Sequence, residues 1–114
     1  MLIYHITSEL EWQQALPKGE YKPANYAADG FIHCSKQEQV AAVANRVYPN
    51  QNGLILLQID TKKLAITVKE ENLEDGAELF PHIYGPLPVS AVSDSAPFMW
   101  QPADGFVFPE RLSR

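Results

Sequence analysis

The chain has three histidines, and each stands two residues before a residue that carries a hydroxyl group. Because residues i and i+2 of a strand point to the same face, each imidazole would lie beside a hydroxyl that can bind a ligand or hold one ring tautomer. Histidine is also suited to proton transfer near neutral pH. The pattern predicts one site, with three catalytic histidines and three ligand-binding hydroxyls: His5 with Thr7, His33 with Ser35, and His82 with Tyr84.

A structural role is the competing interpretation of these residues. A histidine in a strand is often a core or edge residue with satisfied hydrogen bonds, and serine after a strand is an ordinary helix cap. Three histidines could hold zinc, but the sequence contains no His-x-His, His-Glu-x-x-His or Cys-x-x-Cys spacing, so no metal is expected. Cys34 alternates with His33 and is predicted to be a small buried residue rather than a catalytic thiol.

The segment around His33 carries the most information. It runs from Asp29-Gly30 to Ser35, and it places a histidine at a strand end just before a predicted helix. The free amides at that helix start could hold a phosphate or pyrophosphate beside His33. In the third segment a Gly-Pro turn follows Tyr84, whose ring would either stack on a flat ligand or plug the core.

Two helices and six or so short strands are predicted to position these residues. Capping boxes begin helices at Ser8 and Ser35, and Pro17 and Pro49 end them. Residues 19–26 are predicted as loop or short extended chain, and turns fall at 52–53 and 75–76. The predicted strands cover 2–6, 31–34, 54–59, 66–70, 80–84, 88–92 and 98–100, with a last one over 105–108. This predicts a single α+β domain over residues 1–114, with a curved, mainly antiparallel sheet.

Composition narrows the class of protein. The 114 residues include 9 Lys and Arg and 14 Asp and Glu, which gives a net charge of −5. An acidic chain argues against a general nucleic-acid partner, because phosphate contacts need clustered Lys and Arg, but it permits a local basic pocket. The longest apolar run, residues 54–57, is too short to span a membrane. No signal peptide is visible at the start, so the expected location is the cytoplasm.

Three motifs together resemble the bacterial domain-of-unknown-function family 952. The resemblance covers most of the chain, and it implies no activity because that family has no settled one. The motifs are Ile3-Tyr4-His5-Ile6-Thr7, Asp29-Gly30-Phe31-Ile32-His33-Cys34-Ser35 and Phe80-Pro81-His82-Ile83-Tyr84-Gly85-Pro86-Leu87.

Residues 2–7 are also similar, more distantly, to the first-strand motif of ADP-ribosyltransferases, and residues 30–35 to their second motif. The tRNA 2′-phosphotransferases share that fold. This resemblance implies an ADP-ribosyltransferase-like fold, NAD or a related nucleotide as ligand, and His5 as the residue that holds a ribose. Two departures stand out. Ile6 replaces the usual glycine, and His82 occupies the neighbourhood of the family's catalytic glutamate, with Glu78 as the nearest carboxylate.

Three functions remain open. The first is an NAD- or nucleotide-binding transferase acting by ribosyl or phosphoryl transfer. The second is a two-histidine phosphoesterase, because His-x-Thr and His-x-Ser pairs supply a general base and a general acid in that class. Against it, the pairs of that class stand further apart along the chain. The third is a non-catalytic module that binds a small nucleotide.

Overall fold

The computed structural model describes residues 1–72 and 76–113 and has an α+β fold in which every strand pair of the sheets is antiparallel. The strands are divided among three small sheets rather than joined in one, with the orders β1-β4-β8, β2-β7 and β3-β6-β5. The predicted fold class is confirmed. The strands are β1 (Leu2–Ser8), β2 (Glu20–Tyr21), β3 (Ile32–His33), β4 (Leu54–Asp60), β5 (Val68–Glu71), β6 (Phe80–Ile83), β7 (Leu87–Pro88) and β8 (Val92–Phe98), and the helices are α1 (Glu9–Ala15), α2 (Tyr26–Asp29) and α3 (Val40–Val47).

The central sheet separates two hydrophobic cores. Its middle strand β4 is buried from Leu54 to Ile59, because one face packs into each core. Ile55, Leu57 and Ile59 belong to the core that contains Trp12 and Tyr21. Burial on both faces explains why this strand has a continuous apolar run instead of an alternating pattern.

Strand β1 is the edge of the central sheet, and its free side faces the candidate site. Beyond β1 the chain makes one bridge, in which the backbone N–H of Tyr4 donates to the Ser35 carbonyl and the N–H of Ser35 donates to the Tyr4 carbonyl, both at 2.8 Å. This bridge ties the β3-β6-β5 sheet to the edge of β1. It places the segment after His33 directly beside the segment that contains His5.

The first predicted helix is confirmed, and the predicted start of the second is wrong. Ser8 caps α1, accepting the backbone N–H of Glu11 at 3.0 Å. Ser35 does not cap a helix, because its backbone is held extended by Tyr4. A 3₁₀ turn over Gln37–Gln39 comes next, and α3 begins only at Val40. The helix start at which the sequence predicts a phosphate site beside His33 therefore lies two residues later, at Gln37.

The remaining differences lie in segments whose local composition is ambiguous. Helix α2 and strand β2 form within the predicted loop, and residues 105–108 make only a bridge between Gln101 and Gly105. The sequence predicts strand β8 only at its two ends, Val92 and Phe98, because the Ser, Asp and Pro residues between them have low strand propensity. Pairing with β4 stabilises it, and Pro97 is tolerated because β8 is an edge strand. The turn predicted at residues 75–76 lies partly outside the described residues.

None of the helices in the described part of the chain is long and apolar enough to cross a membrane.

Candidate functional site

A cleft of about 450 Å³ opens between the free edge of β1, helix α3 and the β3–β6 pair. All three histidines line it, so the structure brings together segments that lie far apart in the chain. Tyr84 does not line the cleft. The predicted site residues on its wall are His5, Thr7, His33, Ser35 and His82, and other lining residues include Glu11, Asn25, Val43, Arg46, Val47, Tyr48 and Leu54.

His33 and His82 face each other across the β3–β6 ladder. They are direct partners in the antiparallel register, and their ring centroids are 5.6 Å apart with the rings nearly perpendicular. Phe31 packs against both rings, at 4.7 Å from His33 and 4.5 Å from His82. The two imidazoles are thus held as a pair by a common aromatic neighbour.

His82 is almost fully buried, with 3% of its side chain exposed, and is held by a carboxylate. Its Nδ1 lies 3.1 Å from Oε1 of Glu71, so the neutral ring carries its proton on Nδ1 and donates it to that oxygen. No described residue bonds Nε2. Because no fully buried side-chain nitrogen in the described residues lacks a partner, Nε2 must be open to the cleft. His82 therefore presents a lone pair to whatever occupies the cleft.

His33 is held by a second carboxylate and is more accessible. Its Nε2 lies 2.9 Å from Oδ2 of Asp29, and 42% of its side chain is exposed. Asn25 donates to the same Asp29 oxygen at 2.7 Å, which fixes the carboxylate. The ion-pair geometry thus holds the ring of His33 in one orientation beside Asp29.

Tyr84 acts through the same carboxylate as His82. Its hydroxyl donates to Oε1 of Glu71 at 2.5 Å. The hydrogen bonds from Tyr84 and His82 lower the pKa of Glu71, and the bond to Glu71 raises the pKa of Tyr84. Tyr84 thus supports the orientation of His82 from outside the cleft.

His5 is buried, and both of its ring nitrogens are already bonded inside the protein. Nδ1 lies 2.6 Å from the carbonyl oxygen of His33, and Nε2 lies 2.8 Å from the hydroxyl of Tyr21. The Tyr21 hydroxyl is in turn 2.8 Å from Oγ1 of Thr7. The pKa of His5 is lowered to about 4, mainly by burial; the bond to the His33 carbonyl opposes this, and a charge on His33 makes a smaller lowering contribution. His5 is neutral at physiological pH and has no nitrogen left for a ligand.

Ser35 is the hydroxyl that remains available. Only 6% of the residue is exposed, yet its hydroxyl has no hydrogen-bond partner within residues 1–72 and 76–113. Since no fully buried polar side-chain atom there is unsatisfied, the Ser35 oxygen opens into the cleft. Arg46, from the last turn of α3, is the one Lys or Arg on the described wall. Both residues line the cleft, and both carry donors suited to an anionic oxygen.

A metal centre does not form from the described side chains, among which no three His, Cys, Asp or Glu residues converge as ligands. Cys34 is buried as expected, and burial raises the pKa of its thiol. Glu78 lies away from the cleft wall and accepts a hydrogen bond from Gln39.

Sequence reasoning missed the groups that orient the histidines. Glu71 and Tyr21 come from strands that pair only in the folded chain, and neither occurs in a motif with a histidine. Asp29 does stand in the segment that contains His33, four residues earlier. It is the last residue of α2, and after the left-handed turn at Gly30 its carboxylate lies beside the ring. That spacing was the one signal available in advance.

Comparison with known proteins identifies relatives of this chain. The family model described as "Protein of unknown function (DUF952)" matches residues 6–95. The crystal structure of protein CC0527 from Caulobacter crescentus is similar, with a TM-score of 0.83, 35% identity and 94% of each chain covered. The solution NMR structure of CC0527 has a TM-score of 0.79 and 37% identity, over 91% of this chain and 90% of that one. No curated protein matches. The ADP-ribosyltransferase-like character of the fold stays a prediction.

Proposed function

This chain belongs to the family of proteins of unknown function called DUF952, and we propose a function for it from the chemistry of the cleft. The cleft binds a nucleotide, and His82 and His33 act there as base and acid in the cleavage of a phosphodiester bond. The observation that carries this proposal is the pair of facing histidines, each held by its own carboxylate.

The two histidines are equipped for opposite roles. His82 offers an open lone pair on Nε2, with its proton kept on Nδ1 by Glu71, which suits a general base. His33 is oriented by Asp29 and is exposed enough to exchange a proton with solvent, which suits a general acid. Each carboxylate fixes the orientation of its ring, as catalysis requires.

A balanced reaction follows from these roles. Water attacks the phosphorus atom of a cyclic or linear phosphodiester, and Nε2 of His82 takes the proton that the water loses. The bond from phosphorus to the leaving oxygen breaks, and His33 gives that oxygen a proton. Proton exchange with solvent then returns both rings to their starting forms.

The wall of the cleft supports a nucleotide as the ligand. Its volume is within the range of roughly 300–1,000 Å³ found for small-molecule sites. Arg46 and the Ser35 hydroxyl supply donors for a phosphate, and Tyr48 with Val43 and Val47 supplies an apolar surface for a base or sugar. This local chemistry is compatible with the overall acidic charge of the chain.

NAD belongs to the same class of ligand, because it carries ribose and phosphate groups. ADP-ribosyl transfer on NAD is the less supported reaction. It needs a carboxylate near the ribose, and the one acidic residue on the described wall, Glu11, accepts a hydrogen bond from Ser8. Nicotinamide release from NAD is therefore the outcome that would replace phosphodiester cleavage as the proposed activity.

The decisive experiment measures turnover of 2′,3′-cyclic nucleotides and of NAD by the purified chain. We expect hydrolysis of a cyclic nucleotide, with a bell-shaped dependence of kcat on pH. His82→Gln and His33→Gln should each lower kcat by about 10²- to 10⁴-fold with little change in KM.

Tyr26→Phe is the control, because Tyr26 does not line the cleft and its hydroxyl makes no hydrogen bond within the described residues. This variant should keep wild-type kcat. Nucleotide binding without any turnover would refute catalysis and identify a binding module. No binding of any nucleotide would refute the proposal as a whole.

A further inference from the structure

A chain of hydrogen bonds runs from the His33 carbonyl through His5 and Tyr21 to Thr7, and the direction of donation is fixed at its first bond. The carbonyl oxygen of His33 can only accept, so Nδ1 of His5 must donate to it. A neutral imidazole has a single N–H, which is used in this bond. Nε2 of His5 is therefore bare and has to accept.

The direction of the remaining bonds follows by counting protons. Nε2 of His5 accepts the one proton of the Tyr21 hydroxyl at 2.8 Å. The Tyr21 oxygen then has only lone pairs left, so Thr7 donates its own proton to Tyr21 across the 2.8 Å contact. Burial raises the pKa of Tyr21, so its hydroxyl keeps the proton that it donates to His5.

The chain therefore ends at the cleft wall on a hydroxyl that has no proton to give. Thr7 is 5% exposed and lines the cleft, and its oxygen can offer a ligand only a lone pair. Ser35 differs, because its hydroxyl has no partner in the described part of the chain and can either donate or accept. The two hydroxyls on the wall thus have different binding capacities.

We infer that Thr7 is a specificity-determining residue of the cleft, which accepts a hydrogen bond from a ligand hydroxyl or amino group and disfavours an anionic oxygen. His5 and Tyr21 are positioning residues that set the direction of the Thr7 hydroxyl. This role rests on the proposed function. It orients a nucleotide with its phosphate toward Ser35, His33 and Arg46 and a sugar hydroxyl toward Thr7.

Binding of two nucleotides that differ by one hydroxyl tests the role of Thr7. The probes are 3′-AMP and 2′-deoxy-3′-AMP, measured by calorimetry. We expect wild type to bind 3′-AMP about 2- to 12-fold more tightly, which is the range of one net hydrogen bond. Thr7→Val should bring this ratio close to one, and Thr7→Ser should retain it because serine keeps the oxygen.

The tautomer of His5 tests the direction of the chain without any ligand. A long-range ¹H–¹⁵N NMR spectrum at neutral pH should show the His5 proton on Nδ1. A proton on Nε2 would reverse the chain, free the Thr7 proton and overturn the inference. Binding of both nucleotides with a ratio unaffected by Thr7→Val would overturn the role of Thr7 alone. Binding of neither nucleotide would overturn that role together with the proposed function.

Discussion

The stability of this protein should depend on pH through one buried residue, His5. In the unfolded chain its imidazole titrates at the ordinary pKa of 6.5, whereas in the folded protein burial lowers the pKa to about 4. Between these two values the unfolded state binds a proton that the folded state does not. Unfolding is therefore favoured as the pH falls, and stability rises again with pH.

The size of the effect follows from the two pKa values. Each pH unit of difference corresponds to about 1.4 kcal/mol, so the fall from 6.5 to about 4 gives about 3 kcal/mol of unfolding free energy. This contribution is fully present above pH 6.5, is lost progressively below it, and changes no further below about pH 4. For a domain with a stability of roughly 5–15 kcal/mol, this is a large fraction.

Urea denaturation at several pH values between about 7.5 and 4 measures this loss. His5→Asn is the matched variant, because its amide can donate near the position of Nδ1 but cannot titrate. The wild-type stability should fall relative to that of His5→Asn by about 3 kcal/mol over this interval. Carboxylates that titrate in both proteins cancel in the difference.

Parallel stability curves for wild type and His5→Asn would refute the reasoning. So would an NMR titration in which the folded His5 ring protonates near pH 6.5. This second measurement needs only the wild-type protein, so it decides the question even if His5→Asn does not fold.

Two further predictions compare residues of the same type. Tyr21→Phe removes a hydroxyl that is hydrogen-bonded to two buried groups, so it should lower the unfolding free energy by about 2 to 3 kcal/mol. Tyr26→Phe should lower it by almost nothing. Equal melting temperatures for the two variants would contradict this prediction. Ser8→Ala should lower the unfolding free energy by about 1 kcal/mol, because the N-terminal cap of α1 is lost. Ser35→Ala should change it by no more than about 0.5 kcal/mol, because Ser35 caps no helix. If Ser35 were the cap, thermal unfolding would show the reverse order of stability for the two variants.

The pairing of each histidine with a hydroxyl two residues later could be predicted from sequence, because side-chain direction repeats every two residues in a strand. His82 and Tyr84 do share a face, since both bond Oε1 of Glu71. The bridging group could not be predicted. Glu71 reaches His82 only through the antiparallel pairing of β5 with β6.

The start of a helix also depends on tertiary contacts that the sequence does not show. Ser8 and Ser35 stand in similar capping-box sequences, and only Ser8 caps a helix. The local sequence offers each serine the same bond to a backbone amide. In the folded chain the backbone of Tyr4 competes for Ser35 and holds it extended.

Sequence alone therefore determined the α+β class, strands β1 and β4, helix α1 and the three segments that contribute the histidines. Tertiary structure decided the division into three sheets, the convergence of those segments on one cleft, and the different states of the histidines within it. The physical reason is that hydrophobic periodicity records which face of an element is buried but not which partner covers it. Both ring nitrogens of His5 are hydrogen-bonded inside the protein, to Tyr21 and to the His33 carbonyl, whereas His82 stays accessible from the cleft. The sequence does not show this difference, because the hydrogen-bond partners come together only in the folded chain.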